Sequence, residues 1–167
     1  MILAIDVHYK ETTAKAVGAL FKHWDGAVVQ QYIIKYINEV EEYVPGAFYK
    51  RELPCIMEIM KDVDLHSLSY IIIDGFVVLD DSGKPGLGMY VHESIQQQVP
   101  VIGVAKTNFH QNEQHVIPVL RGDSARPLYV TAVGTDLRLA AGLIEIMHGE
   151  FRLPTVLKEL DRITKEP

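Results

Sequence analysis

One cysteine, Cys55, occurs in the 167 residues. Its solitude excludes an internal disulfide and a cysteine-rich zinc site. No apolar run exceeds strand length, so no membrane-spanning helix and no membrane partner are expected. The first residues carry neither a basic stretch nor a cleavage signal, which argues against a signal peptide and for a cytoplasmic protein. Repeats and low-complexity linkers are also missing, and residues 1–167 read as one domain, long enough to bury a core. Basic residues are in deficit: 16 Lys and Arg against 22 Asp and Glu leave a net charge of −6. That balance speaks against a broad, nonspecific nucleic-acid surface, although a few cations can still gather on one face.

What is present is conventional in bulk, with 48% hydrophobic and 23% charged residues. It is unusual at two points. Tyr70-Ile71-Ile72-Ile73 reads as a strand buried on both faces, and Asp74-Gly75 follows immediately. Asp6 is placed alike inside Met1-Ile2-Leu3-Ala4-Ile5-Asp6-Val7. A carboxylate at the edge of an apolar sheet centre is held at a cost of several kcal/mol, on the order of the buried-ion penalty. Two such groups on neighbouring strands repel unless a cation lies between them, which points to a hard-metal site.

Residues 1–9 read as a first strand, Thr13 to Lys22 as a second and Ala27–Tyr36 as a third, with Trp24-Asp25-Gly26 as the intervening turn. These three predict an antiparallel meander. Pro45-Gly46 marks a loop, and from Leu53 the residues Ile56, Met57, Ile59, Met60 and Val63 fit one helix face. Strand Tyr70–Ile73, a Gly- and Pro-rich loop from Asp80 to Gly88, a helix over Met89–Gln98 and strand Val99–Ala105 follow. Val116–Leu120 and Leu128–Val133 read as a hairpin. Thr135 is the expected N-cap of a helix over Asp136–His148, and a last helix spans 154–165. The pattern is α/β with a central mixed sheet, three antiparallel N-terminal strands and flanking helices. An aspartate on the first strand and another ending the fourth is the layout of ribonuclease-H-like nucleases.

Short motifs extend this. Asp6-Val7-His8-Tyr9 lies on the first strand; Tyr43-Val44-Pro45-Gly46 is followed by Arg51-Glu52-Leu53-Pro54. Asp74-Gly75 ends the apolar strand, Gly88 and His92 lie downstream, and Pro100 to Lys106 runs Pro-Val-Ile-Gly-Val-Ala-Lys. Gly149 to Pro154 reads Gly-Glu-Phe-Arg-Leu-Pro. In this order the motifs resemble those of the endonuclease V family over almost the whole chain. Each is weak alone, and six in register are specific.

The resemblance implies a metal-dependent endonuclease that hydrolyses a phosphodiester near a deaminated base, inosine, in DNA or RNA. It implies Asp6, Glu52 and Asp74 as catalytic carboxylates holding Mg²⁺, with Mn²⁺ as a substitute. A hard cation with carboxylate and water ligands polarises a phosphate and lowers the pKa of an attacking water. Lys106 is implied as a catalytic phosphate partner, Tyr43 as the wedge aromatic replacing lost stacking beside an extruded base, and Pro45 as a further nucleic-acid-binding residue. Gly46, Gly75 and Gly103 are implied to let backbone approach the base. A monomer is the expected state.

The chain also departs from the family pattern. Asp-Gly-x-Gly becomes Asp74-Gly75-Phe76-Val77, so Val77 is expected to narrow a base pocket. His8 replaces a small residue and is expected to point away from the Asp6 face. The family's Ser-x-Gly-His becomes Ala132-Val133-Gly134-Thr135-Asp136, and Asp136 is the candidate for a further metal ligand, with a helix N-terminal aspartate as the plainer reading. Val77 and Thr135 together keep open an alternative: a nucleic-acid-binding relative with altered substrate or weak or lost catalysis.

Overall fold

In the computed structural model all residues are described except Glu41, Tyr43, Gly46, Phe48 and His110. The chain forms β1 (Ile2–Lys10), β2 (Thr13–Phe21), β3 (Val29–Ile37), α1 (Tyr49–Met60), β4 (Tyr70–Asp74), α2 (Leu87–Ser94), β5 (Val101–Ala105), β6 (Ile117–Val119), β7 (Leu128–Val133), α3 (Leu137–Ile146) and α4 (Thr155–Lys165). The seven strands make one sheet in the order β3-β2-β1-β4-β5-β7-β6. The opening meander is antiparallel as expected, with Lys10 opposite Thr13 at its first turn. β1, β4 and β5 run parallel, and β7 and β6 return antiparallel. The mixed sheet inferred from the sequence is the one observed.

Strand alternation splits the core in two. Leu3, Ile5, Ile71 and Ile73 point to one face, where Cys55, Ile56 and Ile59 of α1 and Val91 of α2 cover them. Ile2, Ala4, Ile72 and Ile102 point to the other, under Ala140 and Ile144 of α3 and Val156 and Leu160 of α4. Each fully buried isoleucine contributes roughly 1.5–3 kcal/mol. The apolar run Ile71-Ile72-Ile73 is continuous because both faces of β4 are covered.

Most boundaries move by one to four residues, α2 beginning at Leu87 and ending at Ser94 for example, and two of the shifts bear on the site. α1 starts at Tyr49, four residues before Leu53, and Pro54 lies inside it. Glu52 thereby enters the first helical turn instead of preceding it. The N-cap of α3 is Asp136, not Thr135: Asp136 has extended backbone and its Oδ1 accepts from the N–H of Leu139 at 3.0 Å. Among the described residues no helix is long and apolar enough to cross a membrane.

Candidate active site

The register of the parallel pair sets Ile5 beside Ile73, so Asp6 and Asp74 are the next residues on adjacent strands. Both leave the sheet on the α4 side, Asp6 half-buried and Asp74 at the rim, with one edge in solvent and the other against the apolar cavity wall of Ile72 and Leu160. Open α/β sheets bind ligands beyond the carboxyl ends of their strands, which is where Asp74 and Lys106 emerge from β4 and β5. Asp6 Oδ1 accepts from the N–H of Val7 at 2.9 Å. Burial first, then the charge of Asp74, push the pKa of Asp6 up to about 7. Asp74 is pushed up too, by burial against its apolar surroundings and by Asp161, while Lys106 and a hydrogen bond with Asp6 oppose the shift. Both carboxyl groups are therefore harder to ionise than a free aspartate.

Glu52 comes from the opposite face of the sheet. Only 4% of it is exposed, and Tyr9 Oη donates to its Oε2 at 2.8 Å. The Arg51 guanidinium stacks 3.5 Å from the centre of the Tyr9 ring, which fixes the phenol. Burial raises the Glu52 pKa to about 8; the Tyr9 hydrogen bond works against this and the charges of Asp74 and Asp6 add to it. The first-turn position favours the ionised form, but desolvation outweighs the helix dipole here.

A fourth carboxylate, Asp161, is the residue that sequence reasoning missed. It lines a cavity of about 40 Å³ with Asp6, Asp74, Lys106, Leu157 and Leu160, room for a few water molecules. Thr164 Oγ1 donates to the Asp161 carbonyl at 2.7 Å and lies 3.5 Å from Asp6 Oδ2. The signal was present: Leu157, Leu160, Asp161 and Thr164 share one stripe of α4, and an acid in a buried stripe needs a reason.

Asp136 is not brought to this cavity. It is exposed and its carboxylate is spent on capping α3, so the plainer of its two readings describes the geometry. Among the described residues no three His, Cys, Asp or Glu side chains converge tightly enough to form a ready metal cage.

Asp74 and Lys106 also line a second cavity of about 500 Å³, walled by Gly75, Phe76, Leu79, Leu87 and Phe109. Phe76 and Phe109 meet edge to face at 5.1 Å. Val77, expected to narrow such a pocket, points into the core beside Gly88, and its N–H donates to Thr131 Oγ1 at 2.8 Å. Alternation along the chain turns Phe76, not Val77, to the cavity. Gly103 is required by packing, since a Cβ there would lie 2.5 Å from the Gly75 carbonyl and 2.7 Å from Thr131 Oγ1. Gly75 has φ +137°, a conformation that favours glycine. Pro45 sits exposed in the turn between β3 and α1, while Tyr43 and Gly46 lie outside the described residues. His92 is buried, with its pKa lowered by burial. His8 does not point away from Asp6: residues two apart on a strand share a face, and His8 lies on the Asp6 side, lining a groove with Thr164.

Residues 1–147, which carry Asp6, Glu52, Asp74 and Lys106, match the family model described as Endonuclease V. The chain belongs to the Endonuclease V family. It is 28% identical over 116 residues to a putative endonuclease of Schizosaccharomyces pombe, a match covering 65% of this chain and 43% of that protein. The chain thus spans less than half the length of this curated relative.

Among solved structures it is similar to human ENDOV, with TM-score 0.77 and 20% identity over 98% of this chain and 82% of that one. Endonuclease V of Ciona intestinalis, solved with a 24mer DNA containing an inosine followed by a ribo-adenosine, gives TM-score 0.81 at 15% identity, covering 98% and 83%. Endonuclease V of Streptomyces avermitilis gives 0.76 at 20% identity, covering 98% and 79%. The fold is ribonuclease-H-like, as its sheet order and these superpositions agree.

Proposed function

We propose that this chain is a Mg²⁺-dependent endonuclease, one catalytic domain that hydrolyses a phosphodiester near inosine in DNA or RNA. The observation that carries this reading is the pair Asp74 and Lys106, shared between a small acid-lined cavity and a larger apolar one. A phosphate held at the first leaves its attached base within reach of the second.

The donor set fits a hard divalent cation. Asp6 and Asp74 offer only oxygen, and both are made harder to ionise by burial first, with the charge of Asp74 adding to it at Asp6 and that of Asp161 at Asp74. Mg²⁺ retains several waters and is commonly bound through one or two carboxylates, so no closed cage of protein ligands is needed. Asp6 and Asp74 would hold it, with Asp161 and Glu52 on either side; Mn²⁺ would substitute. Bound there, the ion would supply charge neutralisation at the phosphate and a more acidic water.

The protein groups have separable tasks. Tyr9 holds Glu52 Oε2, leaving the other carboxylate oxygen to take a proton near neutral pH. Lys106 sets an exposed ammonium beside Asp74, suited to a phosphate oxygen. Phe76 and Phe109 offer an apolar wall and edge for an unstacked purine. Inosine as the base is supported by the Ciona intestinalis complex.

The test is cleavage of end-labelled DNA and RNA oligonucleotides carrying one inosine, with Mg²⁺ or EDTA and with Asp74→Asn as control. Metal-dependent cleavage near inosine that Asp74→Asn abolishes is expected. Binding without cleavage would favour the alternative, a relative that has lost catalysis.

A further inference from the structure

Next to the acid-lined cavity the protein carries a second feature of opposite charge. A groove of about 290 Å³ has His8, Lys10, Lys15, Tyr36 and Lys165 in its lining, with Glu166 as its acidic member. Its origin is the register of the opening meander. His8 pairs with Lys15, and Lys15 pairs with Tyr36, so one row of side chains crosses three strands on the face that α4 covers. Asp6, His8 and Lys10 follow one another along the same face of β1. Thr164 joins the two regions: it lies 3.5 Å from Asp6 Oδ2 and also lines the groove.

In a chain of net charge −6 this concentration of cations is out of character. Lys10 has no ion pair among the described residues, and its side chain is exposed. Lys15 is buried to 8% exposure, donating to the carbonyls of Ile163 at 2.7 Å and Glu166 at 3.1 Å, with its ammonium 5.7 Å from the centre of the Tyr36 ring. Two of its three N–H groups are used, and its charge stays at the groove floor. Glu166 is paired with Arg162 and Lys165 with Asp161 at 3.0 Å, so Lys10 and Lys15 are the groove's lysines with no ion pair among the described residues. Tyr36 is 65% exposed and presents its ring along the groove.

We infer that this groove binds a single strand of nucleic acid on its way from the scissile phosphate, with Lys10 meeting a backbone phosphate and Tyr36 stacking a base. Cations that track the backbone, interleaved with an exposed aromatic, are the general means of holding single strands without reading sequence. Two residues of strand advance about 7 Å, so Asp6, His8 and Lys10 form a ladder whose steps suit successive phosphates of an extended strand. A duplex is too broad to lay one backbone and an unstacked base into the same cleft.

The inference rests on the nuclease reading above. Its test uses the full chain with Asp74→Asn, in Mg²⁺, and fluorescence anisotropy with an inosine-containing single strand and the matching duplex over a range of salt. Lys10→Ala and Lys10→Gln are expected to weaken single-strand binding and to reduce the slope of log affinity against log salt by about 0.7, the loss of one phosphate contact. Tyr36→Ala is expected to weaken binding roughly five- to tenfold with the slope unchanged. Thermal melting should be unaffected, both side chains being exposed. Unaltered binding by all three variants, or an equal loss for duplex and single strand, overturns the groove while leaving the nuclease reading in place. A parent chain that binds no oligonucleotide overturns both.

Discussion

Tyr9 of β1 donates to Glu52 of α1 at 2.8 Å, tying a strand on one side of the acid centre to a helix on the other. The bond holds a carboxylate that burial would otherwise leave without a partner. Tyr9→Phe is expected to destabilise the protein by about 1–2 kcal/mol, the range for a lost hydrogen bond to a charged or buried acceptor. Because the bond favours the ionised form, its loss should raise the Glu52 pKa further above about 8. Denaturation and the acidic limb of the cleavage pH profile, which should move to higher pH, check the two effects separately.

Metal-free protein should become less stable as pH rises from about 4 to about 8. Asp6 and Glu52 have folded-state pKa values of about 7 and about 8, above their ordinary 3.8 and 4.5. Between those limits the folded chain binds more protons than the unfolded one, so stability falls with pH. Melting in EDTA at pH 5 and pH 8.5 should show this, and Asp6→Asn should shrink the difference. Mg²⁺ should stabilise more at pH 8.5 than at pH 5, since it competes with those protons.

Asp136 and Asp161 should separate cleanly. Asp136→Ala removes the α3 cap and is expected to cost about 1 kcal/mol with Mg²⁺ affinity and cleavage unchanged. Asp161→Ala removes a carboxylate from the acid-lined cavity and should weaken Mn²⁺ binding and cleavage. Calorimetric titration with Mn²⁺ together with melting distinguishes the outcomes.

Gly103→Ala should be poorly tolerated. Its Cβ would press on the Gly75 carbonyl and Thr131 Oγ1, and overpacking of this kind costs about 1–3 kcal/mol. Displacing Gly75 also disturbs the adjacent Asp74. Chemical denaturation and cleavage by the folded fraction measure the two consequences.

Much of this was legible from the chain. The continuous apolar run before Asp74 announces a strand covered on both faces, and Asp25-Gly26 announces a return. Asp136 was harder, because an acid at a helix N-terminus is equally suited to capping and to a ligand's role until its neighbours are known. Val77 misled for a related reason: a one-residue change in facing transfers a side chain from a cavity to the core, and Phe76 has the cavity instead.

The sequence by itself determined most strands and helices and the family, and it singled out Asp6, Glu52 and Asp74 as candidates, because periodicity and short motifs are local properties. Tertiary structure alone decided that Asp161 joins Asp6 and Asp74, that Tyr9 holds Glu52, and that His8, Lys15 and Tyr36 form one row. Asp6 and Asp161 meet only when α4 packs across β1 and β2, and the row exists only in the register of the meander. Burial then sets the chemistry, since the carboxylates of Asp6 and Glu52 titrate near neutrality only where water has been removed and like charges have been brought together.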